Sequence, residues 1–296
     1  MRDQAERLRE LMIGKTGDDT EMATGPRAKV LAVTSGKGGV GKSNFAINLA
    51  ISIRRLGYEV LILDADIGLA NIEILAGISM QYSMKDLITN NMGMHEIIGE
   101  GPEGVRIISG GSGFYEISSM NNKNIRRILS EFKELESLVD YIIIDTGAGV
   151  SDMVLDFVMI ADEVMLVTTT DPTSIMDGYI MIKALTMKGY KGKLNIVANI
   201  VKNRVDAEIL FNKFNKVAKG FLKVELNFLG YLERDKLINK AVMDQRPFLI
   251  SHPKSGIARR MNIMALKAVD SSDLGEGKGD LGFVHRLRKF ILRWGD

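Results

Sequence analysis

The chain has 296 residues, 46% of them hydrophobic, and its 39 Lys+Arg against 37 Asp+Glu leave a net charge of +2. Such a balance gives no compositional argument for bulk nucleic-acid binding. Cysteine is absent, which excludes disulfides, thiolate metal sites, iron–sulfur clusters and cysteine nucleophiles. The length is enough for one sizeable α/β domain or two small ones. His95, His252 and His285 are too scattered to suggest a metal centre. The start, MRDQAERLRE, is charged, and no apolar run approaches 18 residues, so the reading is cytoplasmic.

Short apolar runs alternate with longer helical patterns along the chain. The runs are Lys29–Thr34, Val60–Asp64, Val105–Ser109, Tyr141–Asp145, Glu163–Thr168, Leu194–Ile200 and Leu226–Leu232. They are β-branched and nearly continuous, as in strands covered on both faces of a parallel sheet. Between them, Asn44–Leu56, Asn124–Leu138 and Ser174–Met187 are each long enough for a crossover helix. The alternation predicts an α/β fold with a doubly wound, mainly parallel sheet flanked by helices, and ligand sites at the carboxyl ends of strands. No internal repeat is evident. Two stretches poor in large apolar residues read as linkers, 14–28 and 270–280, and divide the chain into 1–13, a central domain at 29–269 and a tail at 281–296.

Between the first run and the first helix lies Gly36-Lys37-Gly38-Gly39-Val40-Gly41-Lys42-Ser43, followed by Asn44. It fits G-x-x-x-x-G-K-[ST], a loop whose backbone N–H groups cradle phosphates where a Cβ would block the approach. The helix that follows adds its free N–H groups and dipole to the anion site. Lys42 is expected to span the β- and γ-phosphates and Ser43 to ligate Mg²⁺ directly. Asp64 ends the second run and Asp66 follows two residues later, placed to hold a magnesium-bound water and orient the attacking water. Asp145 ends YIIID as a Walker B carboxylate reaching Mg²⁺ through water, and Gly147 and Gly149 suit a loop that senses the γ-phosphate. In TTTDPTSIMDGY, Asp171 and Pro172 read as shaping a turn, with Thr173 or Ser174 capping the next helix.

These motifs resemble the MinD/ParA class of ATPases, a SIMIBI-type branch of the P-loop NTPases. The deviant loop K-G-G-x-G-K-[ST] carries a second lysine, here Lys37, and the resemblance implies that it crosses a dimer interface to the other subunit's phosphates. It also implies that Lys37, Lys42 and Asp66 form the catalytic set, with Asp66 acting on the water. Asn199 would read the adenine edge, and Leu232, Glu233 and Arg234 would lie against adenine. The substrate implied is ATP with Mg²⁺. MinD relatives usually have D-x-P-A-G where this chain has Gly147 in place of the proline, which bears on the stiffness of that loop. Iron–sulfur carriers of the superfamily need cysteines, and bacterial tyrosine kinases of the class carry a terminal tyrosine cluster missing here.

The two ends narrow the resemblance. DQAERLREL at 3–11 resembles the segment that precedes the ATPase domain in FlhG-, YlxH- or FleN-type flagellar regulators, with Ala5, Leu8, Leu11 and Met12 on one helical stripe and Gly14 as a stop. That resemblance implies that Gln4, Arg7 and Leu8 stimulate GTP hydrolysis by a signal-recognition-type GTPase, FlhF. DTGAG at 145–149 and Q-R-P-F at 245–248 fit the same branch. In the tail, Phe283, Val284, Leu287, Phe290, Ile291 and Trp294 fall in one arc with His285, Arg286, Arg288, Lys289 and Arg293 opposite, the pattern of an interfacial helix on an anionic membrane. Docking of this helix on the protein's own surface is the alternative. The expectation is a Mg²⁺-dependent ATPase, homodimeric with ATP, at the inner face of the cell membrane and not bound to nucleic acid. A division-site MinD-type ATPase and a ParA-like binder of nonspecific DNA are the other readings.

Overall fold

The computed structural model describes residues 27–66, 71–90, 92–110, 113–116, 122–270 and 283–294. The expected N-terminal helix, with Gln4, Arg7 and Leu8, and nearly all of both linkers lie outside the described residues. One eight-stranded sheet has the order β3-β4-β2-β5-β1-β6-β7-β8. Its strands are β1 (Lys29–Ser35), β2 (Val60–Ala65), β3 (Ile98–Glu100), β4 (Arg106–Ser109), β5 (Tyr141–Ala148), β6 (Glu163–Thr168), β7 (Lys193–Val201) and β8 (Asn227–Glu233). All neighbours run parallel except β3, which pairs antiparallel with β4 at the edge. Each expected run is a strand. β3 is an addition: three residues carry too little pattern to announce a strand.

Side-chain alternation divides the core between the two faces of the sheet. Leu31, Val33, Val60, Ile62 and Ile143 face α1 (Lys42–Arg55) and the C-terminal part of the domain, while Val30, Ala32, Leu61, Leu63 and Ile144 face the other layer. The helices used below are α2 (Asn71–Ala76), α3 (Asn122–Glu136), α4 (Asp152–Met159), α5 (Pro172–Met187), α6 (Arg204–Val217), α7 (Lys236–Met243), α8 (Gly256–Asp270) and α9 (Phe283–Trp294). α1 starts because Gly41 takes the left-handed conformation (φ 86°) that frees the next turn, and it ends on Arg54 and Arg55, whose charge suits a helix C-terminus.

Register brings the chemistry together. Asp64 of β2 stands directly beside Asp145 of β5, and Val33 of β1 flanks Asp145 on the other side. The loop that leaves β1 therefore sits above two carboxylates at the middle of the sheet.

α9 lies on the protein itself. Phe283, Val284, Leu287, Phe290 and Ile291 are all buried in the core of the second face. Phe283 meets Phe132 of α3 edge-on with ring centroids 5.8 Å apart, and Phe290 meets Phe157 of α4 at 4.9 Å. The Glu136 carboxylate accepts from the Phe283 and Val284 backbone N–H groups at 3.1 and 3.4 Å, capping α9 from another helix. Burial raises the Glu136 pKa, and those two N–H groups oppose the rise. Arg286, read from sequence as part of the basic side of an interfacial helix, instead donates to Asp162 Oδ1 at 2.6 Å. The Trp294 side chain lies outside the described residues. Among the described residues no helix is long and apolar enough to cross a membrane.

Candidate nucleotide-binding site

The loop from Gly36 to Gly41 is built for close backbone approach on both sides. A Cβ on Gly36 would run into the backbone of Asp177 and Gly178 in α5, and one on Gly41 would strike the Asn199 side chain. Gly39 (φ 76°) and Gly38 instead face open space. No side chain caps α1, and no acidic residue sits in its first turn. The N-terminus of a 14-residue helix thus presents free N–H groups beside a glycine-rich concavity, an arrangement suited to an anion.

Beneath the loop lies a compact charged cluster. Lys42, 7% exposed, donates to Asp145 Oδ1 at 2.7 Å and to Ser43 Oγ at 3.3 Å, and lies 3.9 Å from Asp66 Oδ2. Asp145 is fully buried, and its second oxygen, Oδ2, has no hydrogen-bond partner. Burial pushes the Asp145 pKa up despite Lys42. Asp64 accepts from the backbone N–H groups of Asp66 (3.1 Å) and Ile72 (3.3 Å). Its pKa rises to about 7, first through burial and then through the neighbouring Asp145 charge. A buried acceptor without a partner beside a second buried carboxylate is a site that favours an added cation.

Ser43, Asp64 and Asp145 are hard oxygen donors, the set that Mg²⁺ takes together with water and phosphate oxygens. Among the described residues no group of three or more His, Asp or Glu could hold a metal by itself. The fit is to a cation that shares its coordination with a phosphate. Asn71 was missed in the sequence: its Nδ2 donates to Asp66 Oδ2 at 3.1 Å and orients that carboxylate. No motif marks Asn71, the first residue of α2, five positions after Asp66.

Gly147 lies close to Asp66: a Cβ there would stand 3.4 Å from Asp66 Oδ1. Gly149 (φ 89°) donates its N–H to the Ser35 carbonyl at 2.9 Å, closing the β5 loop onto the end of β1.

Lys37 sits apart from the cluster. Its Nζ donates to Thr173 Oγ1 at 2.6 Å and to Asp171 Oδ2 at 3.2 Å, with about half of each charged side chain exposed. Asp171 is the N-cap of α5, accepting from Thr173 N at 2.9 Å, and Pro172 is the first helical residue. This corrects the expectation that Thr173 or Ser174 caps the helix: proline at the first position puts the cap one residue earlier. Ser174 is buried against Thr168. The backbone N–H and hydroxyl of Thr173, then Lys37, hold the Asp171 carboxyl below its ordinary range.

A cleft of about 400 Å³ opens beside the loop, lined by Gly39, Gly41, Asn199, Leu232, Glu233, Arg234 and one side of α7. Asn199 donates Nδ2–H to the Val40 carbonyl at 2.7 Å and accepts from the Ile200 N–H at 2.9 Å. Ile200 has φ 56°, an unusual value for a β-branched residue, and this turn holds the Asn199 side chain under the loop. The cleft thus gathers all of the residues expected near the base, and its far wall is α7, within the stretch 230–250 whose resemblance put it beside the base.

Comparison with known proteins agrees with this geometry. The ParA family profile, described as NUBPL iron-transfer P-loop NTPase, matches residues 27–269. With no cysteine, the chain has no thiolate to carry iron. The chain is 36% identical over 261 residues to the antiactivator FleN of Pseudomonas aeruginosa, covering 88% of this chain and 93% of that protein. It is 32% identical over 296 residues to the flagellum site-determining protein YlxH of Helicobacter pylori, covering 98% and 100%. Among solved structures, the cell division ATPase MinD of Pyrococcus furiosus shares the fold with a TM-score of 0.67 at 19% identity, covering 83% of this chain and all of the other. The septum site-determining protein MinD of Pyrococcus horikoshii, solved with Mg-ADP, has a TM-score of 0.66 at 19% identity, covering 84% and 99%.

Proposed function

This chain belongs to the ParA family of P-loop NTPases, within the MinD/ParA class and its flagellar-regulator branch, and from that premise we propose that it is a Mg²⁺-dependent ATPase switch. It is monomeric without ATP and dimeric with it, and it regulates the number or placement of flagella together with an FlhF-like GTPase. The observation that carries this reading is the different placement of the two loop lysines. Lys42 is buried on Asp145, while Lys37 is half-exposed on Asp171 and Thr173.

In this reading Lys42 exchanges Asp145 for the β- and γ-phosphates, and the loop N–H groups take the remaining phosphate oxygens. Ser43, with Asp64 and Asp145 through water, would hold Mg²⁺, which when bound neutralises charge on the phosphate oxygens. Asp66, oriented by Asn71, positions the attacking water. Lys37 leaves Asp171 and Thr173 to reach phosphates bound by a second copy of the chain, so ATP occupancy and dimerisation report on one another. The docked state of α9 supports a resting monomer whose apolar stripe is covered. Dimerisation frees two such stripes for an anionic membrane surface, with an avidity gain of roughly 10²–10⁴ over one. Residues 1–13, through Gln4, Arg7 and Leu8, engage the GTPase.

Light scattering in the presence of Mg-ATP tests the switch. The wild type is expected to double in mass, and Lys37→Ala is expected to bind ATP yet stay monomeric. A stable Lys37→Ala dimer would remove the trans-acting role. Sedimentation with anionic vesicles under the same conditions tests the tail: wild type left in the supernatant with ATP would remove the membrane role.

A further inference from the structure

The apolar stripe of α9 is covered whether it lies on the protein or in a membrane, so the stripe by itself does not choose between them. The protein side adds two carboxylates. Glu136 is the last residue of α3, where its charge opposes that helix's own dipole, and it is only 9% exposed. Its position suits α9 instead. Each Glu136 oxygen accepts one backbone N–H from the start of α9, whose own first turn holds no acidic residue. Arg27 and Arg286 also favour the Glu136 charge. Asp162, in the turn between α4 and β6, serves two elements at once. Its Oδ2 accepts the Val30 N–H of β1 at 2.8 Å, and its Oδ1 takes Arg286 of α9. Three features of the tail therefore meet the groove together: the apolar stripe, the positive end of the helix and a basic side chain.

We propose that this groove is an internal copy of an anionic membrane surface. Glu136 and Asp162 stand where acidic headgroups would, and they set how much anionic lipid is needed to draw α9 off the protein. The proposal rests on the membrane reading of the tail given above. An aromatic floor with negative charge at its rim offers the helix the same two kinds of contact as an acyl boundary under acidic headgroups. The groove holds its charges in fixed places, and hydrogen bonds to a carboxylate are short and strong. Lipid charges are numerous but diffuse, and salt screens them within a Debye length. In a neutral bilayer the helix exchanges apolar contact for apolar contact and gives up both carboxylates. Neutral bilayers therefore leave α9 docked. A rising density of acidic lipid, or two tails acting together, overcomes the groove.

Two measurements on the full-length protein without nucleotide test this. Hydrogen exchange across 283–294 in the absence of lipid reads docking itself. Asp162→Asn keeps an oxygen for the Val30 N–H and loses the charge that holds Arg286, and Glu136→Gln keeps one acceptor at the start of α9. Each should speed exchange in the tail about tenfold, through loss of one charge-assisted contact, and leave the rest of the domain unchanged. Sedimentation with phosphatidylcholine vesicles of rising phosphatidylglycerol content reads the competition. Both variants should reach half-binding at about half the acidic fraction that the wild type needs, and no form should bind pure phosphatidylcholine. Glu225→Gln removes an exposed charge paired with Lys219 and should match the wild type in both measurements. Tail exchange within roughly twofold of wild type in both variants would overturn the role of the two carboxylates. A shift as large in Glu225→Gln would trace the vesicle result to net charge and overturn the copy. If exchange rises as expected but no form sediments even with Mg-ATP, the membrane reading falls, and the lipid side of this proposal falls with it.

Discussion

Buried carboxylates stand at both ends of the sheet, and they are treated differently. At the amino end of β6, Glu163 is 3% exposed and surrounded by partners: Lys29 at 2.8 Å, Asn195 Nδ2 at 2.9 Å and Lys193 at 3.7 Å. At the carboxyl end of β5, Asp145 is more deeply buried, yet one of its oxygens has no partner and its neighbour in register is another carboxylate. The chain satisfies the first group by itself and leaves the second for something else to satisfy. Burial alone therefore does not mark a functional carboxylate; an incomplete partner set does.

Lys42→Ala should break the incomplete end most severely. Removing two charge-assisted hydrogen bonds to phosphate lowers ATP affinity by roughly 10²–10⁴-fold. A fluorescence titration reads this directly, and affinity within tenfold of wild type would contradict the placement of Lys42 at the phosphates.

A second experiment uses pH to sharpen the contrast. The Asp64 pKa rises to about 7 in the folded protein, from an ordinary value of 3.8, through burial and the Asp145 charge. The folded state therefore holds this proton more tightly than the unfolded chain. The stability this provides is complete below about pH 4 and is lost as pH rises toward 7. Asp64→Asn has no such proton to lose. Without nucleotide or Mg²⁺, its stability relative to wild type should climb by a few kcal/mol between pH 4 and 7, as read by urea denaturation. A flat difference across that range would show that the carboxylate pair is better solvated than its burial implies.

The smallest effect belongs to the satisfied end. Glu163→Gln keeps a hydrogen-bond acceptor but leaves Lys29 without its charge partner, at a loss of about 1–3 kcal/mol of stability. ATP affinity should stay within twofold of wild type. If it moved as far as in Lys42→Ala, the two ends would not be independent and the contrast would fail.

Most of the site could be read before the fold because phosphate binding imposes local sequence. The glycines, Lys42, Ser43, Asp64 and Asp145 fall within or directly after strands whose apolar runs are unmistakable. What escaped depends on contacts between distant segments. Asn71 is the exception: it lies five residues beyond Asp66 and escaped only because it carries no motif. The partners of Lys37 were equally hidden, since Asp171 and Thr173 lie more than 130 residues away. β3 was too short to register. The stripe of α9 was legible, but its destination was not, because an apolar arc with a basic back suits a membrane and a protein groove alike. Only the fold brings Glu136 to the start of that helix and Asp162 to Arg286.

The place of α9 in the order of synthesis gives its docking another meaning. It is the last of the described elements to leave the ribosome, yet it closes a face against which Phe132 and Phe157 already sit. From the end of α8 to the end of α9, translation at about 5–20 residues per second takes roughly 1–5 s. Until α9 is made, Phe132 and Phe157 lack the ring contacts it supplies. A chain that stopped in the same interval would carry all of the NTPase motifs and leave uncovered the apolar surface that Phe283 and Phe290 bury.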